Sequence, residues 1–398
     1  MLQHGLAILA LIASPAMAED GVGAADRLRH EQMLVLDTHL DTPAVLERDG
    51  WSFGDYHHAD WDLSQVDLPR MKQGGLDGGF FVIYTRQGPL TPDGYAAARD
   101  GALKRAAAIQ RMVARYADEM EFATSADDAA RIAASGKRAV YQSIENSYPL
   151  GTDLSLLETF YKLGVRMAGP VHFKNNQFGD SATDKPKWNG LSPLGRALVA
   201  EMNRLGMIVD ASHASDAVFD QLLAVSKTPI ILSHSGPRAM FDHPRNIDDA
   251  RMRKLATAGG VMQVNTVYLV PMDNSPERDT IEKRQEKWAT MSAGERRQLL
   301  ADKAALDAKH PPARATFDMF MASLLHAIEV MGVDHVGIGC DWDGGGGVIG
   351  MEDIAGLPRI TARLRQAGYS DSDIEKIWSG NVLRLLRQAE DYAAKLKK

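Results

Sequence analysis

The chain has 398 residues, 45% of them hydrophobic and 24% charged, a globular composition that excludes a disordered or low-complexity protein. Its 45 Lys and Arg against 52 Asp and Glu leave a formal charge of −7, which argues against nucleic acid as the main partner. The one cysteine, Cys340, excludes an intramolecular disulfide and a cysteine-rich zinc site, so transition-metal chemistry would rest on the 12 histidines and the carboxylates.

The chain starts with an apolar run from Leu6 to Ala13, then Ala16-Met17-Ala18 and two acidic residues. This pattern reads as a secretory signal peptide over residues 1–18, cleaved after an A-x-A site. The run is too short to span a bilayer, which takes about 20 apolar residues. With no cysteine after the signal and no apolar C-terminal tail, the expectation is an exported, periplasmic protein without membrane anchor.

From there, short runs rich in Val and Ile alternate with helical patterns. Eight runs read as strands: Met33–His39, Gly79–Tyr84, Ala139–Ile144, Val165–His172, Met207–His213, Pro229–His234, Gly260–Asn265 and His335–Asp341. Helical spacing marks Tyr95–Tyr116, Ser192–Leu205, Ser215–Ala224, Asp248–Ala258 and Phe317–Met331, with Ser192 and Ser215 as N-caps. Such alternation implies a parallel sheet, and eight units imply a closed (β/α)8 barrel over residues 19–398. No strand–GxGxxG–helix fingerprint supports an open dinucleotide-binding sheet instead. Residues 274–312, highly charged and helical, read as an insertion between the seventh and eighth strands, over the barrel mouth.

Six of the eight runs end in ionisable residues: Asp37, His39 and Asp41; Glu145; His172; Asp210 and His213; His234; and Asp341 with Asp343. In a barrel these ends converge on one face, where such groups would repel and lose hydration unless a cation joined them. His39-x-Asp41 places two donors on the same side of a strand. His213 and His234 add two imidazoles, and Glu145 stands between the two ligand sets with two oxygens to offer. Asp41, Glu145 and Asp341 with one hydroxide carry four negative charges, which two divalent cations neutralise. Asp37 and Asp210 read as groups that orient ligands or cap turns, and Cys340 as a small buried side chain.

The stretches Leu36-Asp-Thr-His-Leu-Asp-Thr-Pro43, Val66-Asp-Leu-Pro-Arg-Met-Lys-Gln-Gly-Gly75, Ser143-Ile-Glu-Asn146, Asp210-Ala-Ser-His213, Pro229-Ile-Ile-Leu-Ser-His-Ser235 and His335-Val-Gly-Ile-Gly-Cys-Asp-Trp-Asp-Gly344 resemble, in this order, the membrane dipeptidase family. The resemblance runs over nearly all of residues 30–390. It implies a (β/α)8 metallopeptidase with two zinc ions, and a homodimer. By position, His39 and Asp41 would hold one zinc, His213 and His234 the other, and Glu145 would bridge. His172 and Arg245 match substrate-binding residues, and Asp341 matches the acidic residue that moves the proton. The implied substrates are dipeptides with a free C-terminal carboxylate, with tolerance of a D-residue there. The family often has Gly after the bridging glutamate, where this chain has Asn146.

Two other readings stay open at this point. A lactonase- or deaminase-type barrel would begin with His-x-His and use a modified lysine, against His39-x-Asp41 and Glu145 here. A periplasmic peptide-binding protein without catalysis would need a broken ligand set, and here every position is filled.

Overall fold

The structure is a computed structural model and describes residues 21–273, 275–285 and 287–397. The expected signal segment, residues 1–18, lies outside the described residues. All eight expected strands are present; six are shorter than their apolar runs, the second has the same length shifted by one residue, and the third is one residue longer. They are β1 Leu36–Leu40, β2 Gly78–Ile83, β3 Arg138–Ile144, β4 Val165–Ala168, β5 Ile208–Val209, β6 Ile231–Ser235, β7 Val261–Val264 and β8 Val336–Ile338. All pair in parallel, and all but the first residue of β3 are buried. Strands covered on both faces favour apolar residues on either side, which is why they read as near-continuous runs rather than as alternating patterns.

The neighbours run β1 to β5 in one sheet and β6 to β8 in another. Two parallel bridges, Asp210 with Ile231 and Leu40 with Trp342, join the sheets into a closed circuit. A buried carboxylate ties each seam. Asp37 accepts the His39 N–H at 2.9 Å and, across the β8–β1 seam, the Cys340 N–H at 3.0 Å. Asp210 accepts the Ser212 N–H at 3.0 Å and, across the β5–β6 seam, the Ser233 N–H at 3.0 Å and hydroxyl at 2.6 Å. Inside the barrel the Thr38 hydroxyl donates to the Ser233 carbonyl at 2.7 Å, and a Cβ on Gly339 would overlap both groups.

The crossover helices start where their caps allow. Ser192 accepts from the Gly195 N–H and opens Pro193–Leu205; Ser215 accepts from Val218 and opens Asp216–Val225. The long helix Pro92–Arg115 begins three residues before the expected Tyr95, because Thr91 caps it and Pro92 fits its first turn. One strand was not expected: Met120–Phe122 pairs with the first half of β3, too short to stand out in the sequence.

The charged insertion forms helices Pro276–Gln285 and Ala293–Lys309, packed around Ile281, Trp288 and Leu299. Trp288 lies between the guanidinium groups of Arg48 and Arg296, each 5.7 Å from its ring, which holds the insertion to the loop after β1. No helix among the described residues is long and apolar enough to cross a membrane.

Candidate metal centre

The strand ends deliver their ionisable side chains to one point. Four imidazole Nε2 atoms surround Oε1 of Glu145: His213 at 2.8 Å, His234 at 3.4 Å, His172 at 3.6 Å and His39 at 3.7 Å. Nε2 of His39 is also 3.4 Å from Oδ2 of Asp41. Three overlapping groups of donors result: His39, Glu145 and His234; Glu145, His172 and His213; His39, Asp41 and Asp341. The structure thus brings together all five residues expected as ligands, together with His172 and Asp341.

Backbone geometry aims these side chains. Five of the seven non-glycine residues with positive φ among the described residues lie here: Asn146 (64°), His213 (66°), Tyr268 (55°), Asp341 (68°) and Asp343 (63°). Such strain gathers where surroundings fix it for a purpose. It explains the departure at Asn146, since Gly and Asn are the residues that best tolerate the left-handed region. It also ends β5 early, because a strand cannot continue into His213. His172 stands four residues beyond the end of β4, with its ring 4.0 Å from Phe173 and 4.8 Å from Tyr84.

The electrostatics call for a cation. Burial opposes charge on His39, but Asp41 and Glu145 outweigh it and raise its pKa to about 10. Burial, then Arg245, hold His213 neutral, well below the ordinary histidine value; burial and His39 do the same at His234. Yet Nε2 of His213 and Nε2 of His234 are only 2.9 Å apart. Burial also pushes Glu145 well up, and Asp41 adds to the effect. Burial raises Asp341 to about 6, opposed by His39 and supported by Asp41. Both ring nitrogens of His39 are buried without a hydrogen-bond partner, as is Nδ1 of His213. Neutral imidazoles and carboxylates crowded around unsatisfied nitrogens are a donor set that fits divalent transition metals.

Supporting bonds fix one of the rings. Nδ1 of His234 is 2.9 Å from the Ser233 hydroxyl, which in turn donates to Asp210. That chain sets the tautomer that leaves Nε2 free to ligate. The sequence gives Ser233 only as a strand-end neighbour, so its part could not be read there. Asp343, the rival of Asp341, is committed elsewhere: it accepts the Thr42 hydroxyl and the Gln65 N–H, both at 2.6 Å. Gly344 lies against the Asp41 and Asp341 carboxylates so closely that a Cβ would overlap both.

Arg245 borders the cluster at 4% exposure, and its charge is felt by Glu145, Asp341, His172 and His213. Its Nη2 donates to the His234 carbonyl at 3.3 Å, and its guanidinium stands 5.3 Å over the Tyr268 ring. Its Nε is buried without a partner. Burial first, then Arg245 and His39, lower His172 to about 3, so it is neutral. Cys340 is fully buried, which pushes its thiol up and keeps it unreactive.

A parallel barrel whose strand ends gather a shared carboxylate, imidazoles and a second carboxylate pair defines a metal-dependent hydrolase. The chain belongs to the membrane dipeptidase family, peptidase family M19, whose sequence model matches residues 24–398. Among its relatives, dipeptidase tcpJ of Claviceps purpurea is 34% identical over 338 residues, spanning 83% of this chain and 71% of that protein. Mouse dipeptidase 3 is 30% identical, spanning 93% of this chain and 68% of its own. The crystal structure of the probable dipeptidase PvdM from Pseudomonas aeruginosa superimposes with a TM-score of 0.79 at 30% identity, covering 93% of this chain and 98% of that one. A metallopeptidase from Rhodobacter sphaeroides, solved with a phosphinate mimic of the dipeptide L-Ala-D-Ala, matches with a TM-score of 0.70 at 26% identity over 89% of this chain and 99% of its own. The protein is a metallodipeptidase, a hydrolase that acts on dipeptides with a metal cofactor.

Proposed function

We propose that the chain is a binuclear zinc dipeptidase acting on dipeptides with a free C-terminal carboxylate, with tolerance of a D-residue at that position. His39 and Asp41 would hold one zinc and His213 and His234 the other, with Glu145 as the donor common to both sets. The observation that carries this reading is the convergence of four imidazole nitrogens within 3.7 Å of one Glu145 oxygen, with Oδ2 of Asp41 3.4 Å from the same His39 nitrogen. The ligand bound to the Rhodobacter sphaeroides relative, a mimic of L-Ala-D-Ala, supports the tolerance of a D-residue.

The bound metal supplies Lewis acidity, which makes the attacking water acidic enough to react near neutral pH. The rest falls to side chains. Arg245 fixes the substrate through its C-terminal carboxylate, a charge-assisted bond that gives its unpartnered Nε an acceptor. Only a short substrate brings that carboxylate so near the scissile bond. Neutral His172 donates an N–H to the carbonyl oxygen as negative charge develops there. Asp341 takes the proton of the attacking water and returns it to the leaving amine, acting as base and then acid.

Residues 1–18 act as a cleaved export signal, and residues 19–398 form the catalytic barrel of a periplasmic homodimer. The apolar run from Leu6 to Ala13 followed by Ala16-Met17-Ala18 supports the export signal. The test is elemental analysis of purified protein, paired with hydrolysis of L,L- and L,D-dipeptides before and after chelation. Two zinc per chain, with loss on chelation and recovery on zinc, is expected. Full activity in metal-free protein would reject the reading.

A further inference from the structure

A cavity of about 1020 Å³ opens beside the metal centre and shares His172 with it. Its wall carries five cationic side chains, Arg48, Arg86, Arg105, Lys174 and Lys287, and no Asp or Glu among the described residues that line it. In a chain of net charge −7, a wall of one sign runs against the composition. Arg48 and Arg105 matter most, because both are half-buried. Arg48 donates to the Asp62 carbonyl at 3.0 Å and Arg105 to the Pro43 carbonyl. Those bonds orient the guanidinium groups without neutralising them. Burial lowers Arg48 to about 10 against the pull of Asp343 and Asp62, with Arg296 and Arg105 repelling its charge; burial also lowers Arg105, against the pull of Glu47 and Asp41. Like charges held together in a half-buried cavity are relieved by an anion between them.

The position of the cavity says which part of a substrate it meets. Its walls come from the segments after β1 and β2, from helix Pro92–Arg115 and from Gln285, Lys287 and Trp288 of the insertion after β7, with His172 and Lys174 at one side. Arg245 and Tyr268, which follow β6 and β7, are not among the residues that line it. With the substrate's C-terminal carboxylate at Arg245, the cavity lies beyond the scissile bond, beside the N-terminal residue. The ammonium group of that residue would stay by the Asp41 and Asp341 carboxylates, leaving its side chain to enter the cationic wall.

We propose that this cavity is a subsite for a side-chain carboxylate on the N-terminal residue, so that the preferred dipeptides begin with Glu or Asp. The inference rests on the dipeptidase reading above. Arg48 and Arg105 are its specificity-determining residues.

The test compares kcat/KM of the zinc-loaded protein for Glu-Ala, Gln-Ala, Ala-Glu and Ala-Gln. Glu and Gln differ little in shape, so each pair reads charge alone. The expected result is a preference of about tenfold for Glu-Ala over Gln-Ala at low salt, the effect of one modest ion pair. That ratio should fall toward one in Arg105→Gln, in Arg48→Gln, and at high salt. Each ratio is internal to one preparation, so partial misfolding of a variant cancels. Equal rates on Glu-Ala and Gln-Ala, or a ratio unchanged in both variants, would overturn the subsite alone. A preference confined to Ala-Glu would overturn its assignment to the N-terminal residue. No hydrolysis of any of the four would overturn the dipeptidase reading itself, and the subsite with it.

Discussion

Two buried regions of this barrel contain the same kinds of side chain and differ in how those are satisfied. Near the N-terminal helix, Arg70 is fully buried and donates from Nε to Asp67 at 2.7 Å, from Nη1 to Asp353 at 2.9 Å and from Nη2 to the Ser64 carbonyl at 3.0 Å. His30, in the same region, uses both ring nitrogens, with Thr361 and with the Gly74 carbonyl, each at 2.8 Å. At the mouth, Arg245 is almost as buried but meets no carboxylate directly, its bond to the His234 carbonyl is long, and among the described residues its Nε and both nitrogens of His39 lack a hydrogen-bond partner. A fully bonded buried charge belongs to the fold. A buried donor without a partner costs about 1–3 kcal/mol, and proteins retain such groups where something outside the chain completes them. By this comparison Arg70 is satisfied within the fold, whereas Arg245 fits the substrate-binding role proposed for it.

The comparison can be broken most forcefully at Asp341. Asp341→Asn keeps the shape of the side chain but removes the proton acceptor, so kcat should fall about 10²- to 10⁴-fold with zinc content unchanged. Steady-state kinetics beside elemental analysis checks this, and near-normal kcat would remove Asp341 from proton transfer.

The two arginines offer the next contrast. Arg70→Met strands Asp67 and Asp353 and should cost about 3–5 kcal/mol in denaturant unfolding. Arg245→Met should change stability by less than about 1 kcal/mol, because no carboxylate is in direct contact with it among the described residues. Instead its kcat/KM should drop about 10- to 100-fold on free dipeptides and hardly at all on C-terminally amidated ones. Equal losses on both substrates would reject the clamp.

The histidines differ in pH response. Burial lowers His30 to about 4, against an ordinary 6.5, so the unfolded chain takes up a proton over that interval and the folded chain does not. The stability from His30 is therefore present above about pH 6.5 and lost as pH falls toward 4, by about 3 kcal/mol in all. Unfolding of His30→Gln and of the parent chain from pH 7 to pH 4 should diverge by that amount, and parallel curves would contradict the assignment. The smallest effect expected is at Ser233. Ser233→Ala removes the bond that orients His234 and should weaken metal binding about tenfold, measured by competition with a chelator.

Much of this was legible in the sequence. Parallel strands buried on both faces leave continuous apolar runs, and their ends carry the residues that meet at Glu145. Cap residues such as Ser192 and Ser215 act locally, so their helices were readable too. What stayed hidden depends on contacts between distant segments. The strand Met120–Phe122 is too short to show a period. The seam roles of Asp37 and Asp210 exist only because β8 returns beside β1, and β6 beside β5. The apolar runs through His172 and His213 overstate their strands, because no local pattern announces that the chain must turn for its imidazoles to reach Glu145. The cationic cavity was invisible for the same reason: Arg48, Arg105 and Lys174 come from separate segments.

The central claim, that a metal pair completes the mouth, is tested most directly by titrating chelated protein with zinc while following its thermal unfolding. The account predicts that Tm rises until two equivalents are bound, that dipeptidase activity returns in step, and that Glu145→Gln abolishes both responses. Zinc that leaves Tm unchanged, or saturation in Glu145→Gln identical to the parent chain, would contradict it.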